Sequence, residues 1–203
     1  MYKVYGDMLS GNCYKVKLCL RYLGIEHRWQ HVDILNQETH TEAFLRMNPN
    51  ARIPLLEIDA NTHLAESNAI LHYLADGSNL IPQDKLLRAQ VLQWQFFEQY
   101  SHEPYIAVAR YINKYLGLPA ERQAEYHAKQ DGGHHALRVM EQALAKHDYL
   151  VGNEATLADI SLYAYSHVAD EGGFDLSAYP KINAWFKRIE RLPGYVTMSR
   201  DNG

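Results

Sequence analysis

Two neighbouring stretches decide how this chain reads: Arg52-Ile53-Pro54-Leu55-Leu56-Glu57 and Leu64-Ala65-Glu66-Ser67-Asn68-Ala69-Ile70. A proline in an apolar, strand-like run removes a ladder donor, so it is confined to edges, strand starts and special turns. Pro54 stands at the start of its run. The residue before a proline is driven extended, which leaves the Ile53 backbone open to pairing with something outside the sheet. Shortly after, Glu66 and Ser67 open an amphipathic helix. A helix start presents unpaired N–H groups and the positive end of the dipole, a ready anion site. Together these features describe a site for a small extended peptide with a carboxylate and an ammonium at one end.

Working outward, the first half alternates strand and helix signals. Tyr2 to Tyr5 is a short β-prone run, and Gly11 to Leu23 carries a helical stripe of Val16, Leu18, Cys19, Leu20 and Leu23. Gly24 follows where a helix-capping glycine belongs. His27 to Val32 reads as a strand, Thr41 to Met47 as a short helix stopped by Asn48-Pro49-Asn50, and Ile53 to Ile58 as a third strand. Asp59 to Thr62 turns the chain into a brief strand at His63 to Ala65, and a helix runs from Ser67 to Ala75. Strand-helix-strand predicts a parallel pair, and the tight turn predicts an antiparallel one.

The second half changes character. A polar, proline-containing linker at 78–85 leads into long helical periodicity with almost no strand signal. Leu86 to Leu116 is one long stretch with a bend expected near Pro104, and a second helix is expected from Pro119 toward Leu150, weakened locally by Gly132-Gly133 for close packing. Thr156-Leu157-Ala158-Asp159 resembles a capping box ahead of an apolar run, and Tyr179 to Leu192 is the last helix. The expected fold is an α/β first domain over 1–77, of order βαβ-α-ββα, and an all-helical second domain over 86–203.

The bulk numbers set exclusions. A chain of 203 residues with 47% hydrophobic and 22% charged residues is ordinary globular material. A net charge of −4 gives no reason to expect nucleic acid or an acidic membrane surface as partner. Cys13 and Cys19 make neither a disulfide framework nor a metal spacing, and a reducing compartment is the simplest reading. His134-His135 and the His127/His134 pair lack a metal-binding helix spacing, so no metal is expected. The start lacks a signal-peptide core and no run reaches a membrane span, so a cytoplasmic protein with no membrane partner is expected.

Further motifs now combine. Ser10-Gly11-Asn12-Cys13-Tyr14-Lys15-Val16 closes the first strand and opens the first helix. With Asn48-Pro49, Arg52-Ile53-Pro54, Glu66-Ser67 and Thr156-Leu157-Ala158-Asp159, the ordered set resembles a cytosolic glutathione S-transferase of the bacterial, serine-type (theta/nu-like) kind, over nearly the whole chain. That resemblance implies a thioredoxin-like glutathione-binding domain, a helical domain on the electrophile side and a homodimer. It also implies glutathione as co-substrate rather than a permanently bound cofactor.

The implied catalytic residues are Ser10, whose hydroxyl would donate to the glutathione sulfur, and Asn12 as a second donor. An alkyl thiol of pKa ~8.5 is mostly protonated at neutral pH, and the thiolate is the nucleophile. Each unit of depression requires ~1.4 kcal/mol of preferential stabilisation. A charge-assisted hydrogen bond contributes ~1.5–3 kcal/mol. The helix start adds ~0.3–1 kcal/mol. Read alone, Ser10 is equally an ordinary helix N-cap.

The resemblance makes Pro54 a cis proline, with Ile53 pairing to the cysteinyl part of glutathione. Glu66 would accept from the γ-glutamyl ammonium and Ser67 would hold the γ-glutamyl carboxylate. Arg52 and His40 would reach the glycyl carboxylate, although His40 also reads as a plain surface residue. Serine at position 10, three before Cys13, argues against a dithiol reductase and against cysteine-type transferases. Tyr5 lies where tyrosine-type relatives keep a phenol, but Ser10 fits better beside Asn12. In the aromatic-rich long helix, His102 and Tyr105 are the electrophile candidates, against a reading as packing residues. The implied activity is conjugation of glutathione to small apolar electrophiles. The alternatives are a glutathione-dependent peroxidase or disulfide-bond reductase, and a non-catalytic glutathione-binding regulatory module.

Overall fold

The computed structural model describes residues 1–199, which form two compact units: Met1–Ser78 together with the tail from Leu192, and Asn79–Arg191. In the first unit, β1 (Tyr2–Gly6), α1 (Gly11–Tyr22), β2 (His27–His31), α2 (Glu42–Met47), β3 (Leu55–Asp59), β4 (Thr62–Ala65) and α3 (Ser67–Leu74) follow in order. The sheet runs β2-β1-β3-β4, with β1 and β2 parallel and β3 antiparallel to both its neighbours. This is the expected mixed sheet. The crossover through α1 gives the parallel pair, and the turn at Asp59 the antiparallel one.

Side-chain alternation divides this unit's core. On one face, Phe44 of α2 packs with Val32 and Leu55, joined by Tyr5, Met47, Ile53 and Ala65. On the other face, Gly6 lies under α1. A Cβ there would come within 2.7 Å of Cys13 Sγ, so only glycine lets the helix sit this close to the strand. Gly24 takes φ +65° past the end of α1, the left-handed cap its position predicted.

The tail belongs to this unit through side-chain and backbone contact with α1. Tyr14 donates its hydroxyl to Val196 O at 2.6 Å, and Gly194 lies against the Arg21 carbonyl with no room for a Cβ. The sequence placed these residues with the helical region, because hydrophobic periodicity carries no signal for a docked irregular segment.

The second unit holds α4 (Lys85–Phe97), α5 (Glu103–Arg110), α6 (Gln123–Leu144), α7 (Leu157–Ser166) and α8 (Pro180–Ile189). The stretch expected as one long helix changes its hydrogen-bond register through π-helical turns at Glu98–His102 and Tyr111–Tyr115. The first ends just before Pro104, which has no N–H to continue an α ladder. Pro119 precedes a 3-10 turn rather than opening α6, which stops at Leu144. Gly132 and Gly133 do not interrupt α6. They admit the rings of Tyr105 and Phe174 where a Cβ would collide.

The expected capping box anchors this unit. Asp159 Oδ2 accepts from Thr156 N at 2.9 Å and Thr156 Oγ1 at 3.0 Å, while Oδ1 accepts from Leu150 N and Trp185 Nε1, both at 2.9 Å. Burial pushes its carboxyl pKa up against the pull of those four donors. The residue is structural, as its N3 position implied.

Candidate functional site

The sheet register gathers the motif residues at one end. Leu55 at the start of β3 pairs with Tyr5 near the end of β1 and with Ala65 at the end of β4. The chain therefore leaves β1 toward Ser10, leaves β4 toward Glu66-Ser67, and enters β3 from Ile53-Pro54, all at the same edge of the layer. The Ile53–Pro54 bond is cis, and Pro54 is buried. β3 begins only at Leu55, so Ile53 and Pro54 lie outside the strand the sequence assigned them to.

Ser10 is the N-cap of α1, extended at φ −74° and ψ 125°. Its N–H donates to Asp7 O at 3.0 Å and its Oγ accepts from Cys13 N at a long 3.5 Å. Asp7 is itself buried and accepts from Leu9 N, so the Asp7–Ser10 turn holds the hydroxyl at the helix mouth. The N-cap reading of Ser10 holds, through a long bond, and the residue stays half-exposed.

Asn12 and Ser67 come together across the two helix starts. Ser67 Oγ donates to Asn12 Oδ1 at 3.3 Å. Between them lies Lys15, fully buried, whose Nζ donates to Asn12 Oδ1 at 2.7 Å and to Ser67 Oγ at 3.4 Å. Sequence reasoning missed Lys15 as a site residue. The available signal was its spacing of three from Asn12, which puts both on one helix face.

Glu66 precedes α3 at φ 67° and ψ 112°, exposed, with no side-chain capping bond. A non-glycine residue in this region carries backbone strain, a mark of functional positions. Ser67, by contrast, is buried. Arg52 is exposed, and its carbonyl accepts from Asn48 Nδ2 at 2.8 Å. Asn48 also takes the Asn50 N–H, so this buried side chain, read from sequence as part of a helix stop and of the ordered motif set, organises the loop that carries Arg52. His40 is exposed on a 3-10 turn, with Nδ1 3.2 Å from Thr39 Oγ1.

Two competing groups are occupied elsewhere. The Tyr5 hydroxyl donates to Glu57 Oε2 at 2.7 Å and accepts from Lys3 Nζ at 3.0 Å, which commits its proton to a carboxylate. Cys13 has no exposure, and burial pushes its thiol up to about 12, so it is no thiolate at neutral pH. Cys19 is likewise pushed up to about 12 by burial.

In the helical unit, His102 is fully buried and its Nε2 lies 2.8 Å from Ser166 Oγ. It packs the interior, which is the bland reading of that residue. Tyr105 is half-buried, set against Gly132, with Lys129 Nζ 5.7 Å from its ring centre. Among the described residues, no three His, Cys, Asp or Glu side chains gather to hold a metal, and no helix is long and apolar enough to cross a membrane.

Comparison with known proteins agrees with this geometry. Residues 9–76 match the glutathione S-transferase N-terminal domain and residues 93–193 the C-terminal domain. A glutathione S-transferase crystal structure from Pseudomonas fluorescens is 61% identical, covers 97% of this chain and 98% of that one, and superposes with a TM-score of 0.95. A Ure2p structure in complex with S-hexylglutathione is 26% identical over 95% of each chain, with a TM-score of 0.85. The protein URE2 of Debaryomyces hansenii is 27% identical over 98% of this chain and 78% of its own length. With both domains matched and this degree of identity, the chain belongs to the glutathione S-transferase family.

Proposed function

We propose that this chain binds glutathione at the end of its first-unit sheet, holds it as the thiolate and conjugates it to small apolar electrophiles. The observation that carries this reading is the junction of the two helix starts, where Asn12 and Ser67 are hydrogen-bonded beside the half-exposed Ser10. Ser10 donates to the sulfur and Asn12 supplies a second N–H. The Ile53 backbone pairs with the cysteinyl part, and Glu66 takes the γ-glutamyl ammonium. The start of α3 at Ser67 takes the γ-glutamyl carboxylate, and Arg52 with His40 serves the glycyl carboxylate. Holding both reactants contributes to rate as well as activation.

For the electrophile, the helical unit offers Tyr105. His102, sealed behind Ser166, shapes the helix that carries Tyr105 rather than touching a substrate. A homodimer is part of the reading. Leu92, Phe96 and Tyr100 recur at i, i+4 and i+8, and are 39%, 70% and 85% exposed, an apolar stripe suited to a second copy. A cytoplasmic setting accords with two buried free thiols.

The test is an ultraviolet difference titration of bound glutathione from about pH 5 to about pH 9, on wild type and Ser10→Ala. A depressed thiol pKa in wild type that returns toward ~8.5 in the variant establishes Ser10 as activator. Binding without thiolate formation favours instead a non-catalytic glutathione-binding regulatory module. A thiolate that turns over peroxide or a disulfide but no electrophile moves the activity to the peroxidase or reductase class.

A further inference from the structure

Lys15 is a charged side chain with no solvent exposure, placed between Asn12 and Ser67. Burying an ammonium is costly unless it is paired and hydrogen-bonded. A buried charge is weak evidence for a gain in stability, which directs attention to what the lysine does to its neighbours. The hydrogen-bond chemistry shows what it does to its neighbour. An ammonium has donors and no acceptor, so the Asn12 atom 2.7 Å away is the carbonyl oxygen. Ser67 Oγ donates to the same oxygen. Both interactions fix the amide in one orientation, with its N–H2 on the side away from Lys15 and Ser67.

We infer that Lys15 is a positioning residue for thiol activation, acting through Asn12; this rests on the thiolate reading proposed above. A cation on the carbonyl oxygen polarises the amide and makes its N–H2 a stronger donor toward a thiolate. Without Lys15, the amide loses the shorter of the two bonds that orient its oxygen, and the 3.3 Å bond from Ser67 Oγ holds it less firmly against presenting that oxygen to a negatively charged sulfur. The field of Lys15 is also felt at sulfur on this helix. Burial dominates the Cys13 thiol, with the Ser10 hydroxyl and the Asp7 backbone lowering it, the Asp7 charge raising it and Lys15 lowering it. The same ammonium bonds to both helix starts, so it also couples the sulfur end of the site to its γ-glutamyl end.

The test uses the full chain as wild type, Lys15→Met, Lys15→Gln, Asn12→Ala and the Lys15→Met/Asn12→Ala double variant. Bound-thiol pKa is read by ultraviolet titration, glutathione affinity by calorimetry, and the pH dependence of kcat/KM with an activated nitroaryl chloride. Lys15→Met is expected to raise the bound-thiol pKa by about one unit, a tenfold loss of thiolate below the pKa, with a much smaller change in affinity. Lys15→Gln keeps a donor of similar reach without the charge, and its shift is expected to fall between the two. In the Asn12→Ala background, Lys15→Met is expected to add much less than it does in wild type, because most of its effect passes through the Asn12 amide. Should Lys15→Met fail to fold, Lys15→Gln carries the comparison. A wild-type thiol pKa in a folded, glutathione-binding Lys15→Met, or full additivity with Asn12→Ala, overturns the inference while leaving thiolate activation intact. An undepressed pKa in wild type removes the thiolate reading itself.

Discussion

Ser67 Oγ donates to Asn12 Oδ1 at 3.3 Å, so the one hydroxyl proton at the start of α3 is already committed to α1. The γ-glutamyl carboxylate proposed for Ser67 is therefore expected at its backbone N–H, one of the orphan donors of a helix first turn. Ser67→Ala keeps that N–H. Its glutathione Kd is expected to rise less than about tenfold, the worth of one neutral hydrogen bond, while the bound-thiol pKa rises through the loosened Asn12. Calorimetry and titration on the same variant check both parts. A loss of binding far beyond tenfold would return the carboxylate to the hydroxyl.

The strained backbone of Glu66, at φ 67° and ψ 112°, sets stability against binding. Glycine has no Cβ to conflict with this conformation, so Glu66→Gly is expected to raise stability by about 1 kcal/mol in denaturant melts. The same variant removes the carboxylate assigned to the glutathione ammonium, and its affinity is expected to fall. Unchanged affinity in Glu66→Gly would remove Glu66 from the site.

Asp159 receives four hydrogen bonds, from Thr156 N, Thr156 Oγ1, Leu150 N and Trp185 Nε1, in a fully buried setting. Asp159→Ala strands these donors, and with buried unsatisfied groups costing ~1–3 kcal/mol each a loss of at least about 3 kcal/mol is expected. Chemical denaturation measures it. A loss under about 1 kcal/mol would mean that the donors find other partners.

His167 supplies a pH dependence of stability. It stacks on Tyr163 with ring centres 4.5 Å apart, and its Nδ1 donates to Tyr163 O at 2.8 Å. Burial lowers its pKa from 6.5 to about 4. Folding thus favours the neutral ring, and this contribution is complete above pH 6.5, where the unfolded chain is also neutral. Between pH 6.5 and about 4 the unfolded chain takes up a proton that the folded one refuses, so stability falls on acidification. The ceiling is about 3 kcal/mol. Melts of wild type and His167→Phe across that window are expected to converge toward acid, the variant losing less. Parallel curves would assign the acid sensitivity to other groups.

Much of the local structure around the candidate site was legible in the sequence because its parts are local. Pro54, Ser10 at a helix start, Glu66-Ser67 before an apolar stripe and the Thr156–Asp159 box each depend on a few adjacent residues, and backbone chemistry dictates what such residues do. The alternation of strand and helix in the first half, and the helical periodicity of the second, dictated the two architectures for the same reason. Tertiary structure alone decided the rest. Lys15 reads as one polar residue in a helix until α3 brings Ser67 to it. Tyr5 reads as a candidate phenol until β3 places Glu57 within 2.7 Å of its hydroxyl. His102 reads as a pocket residue until α7 closes Ser166 over it, and the tail from Leu192 joins α1 by contacts no periodicity encodes. Sequence spacing specifies what a residue can offer within its own turn of chain. Which distant group takes that offer is set by the packing that brings elements together.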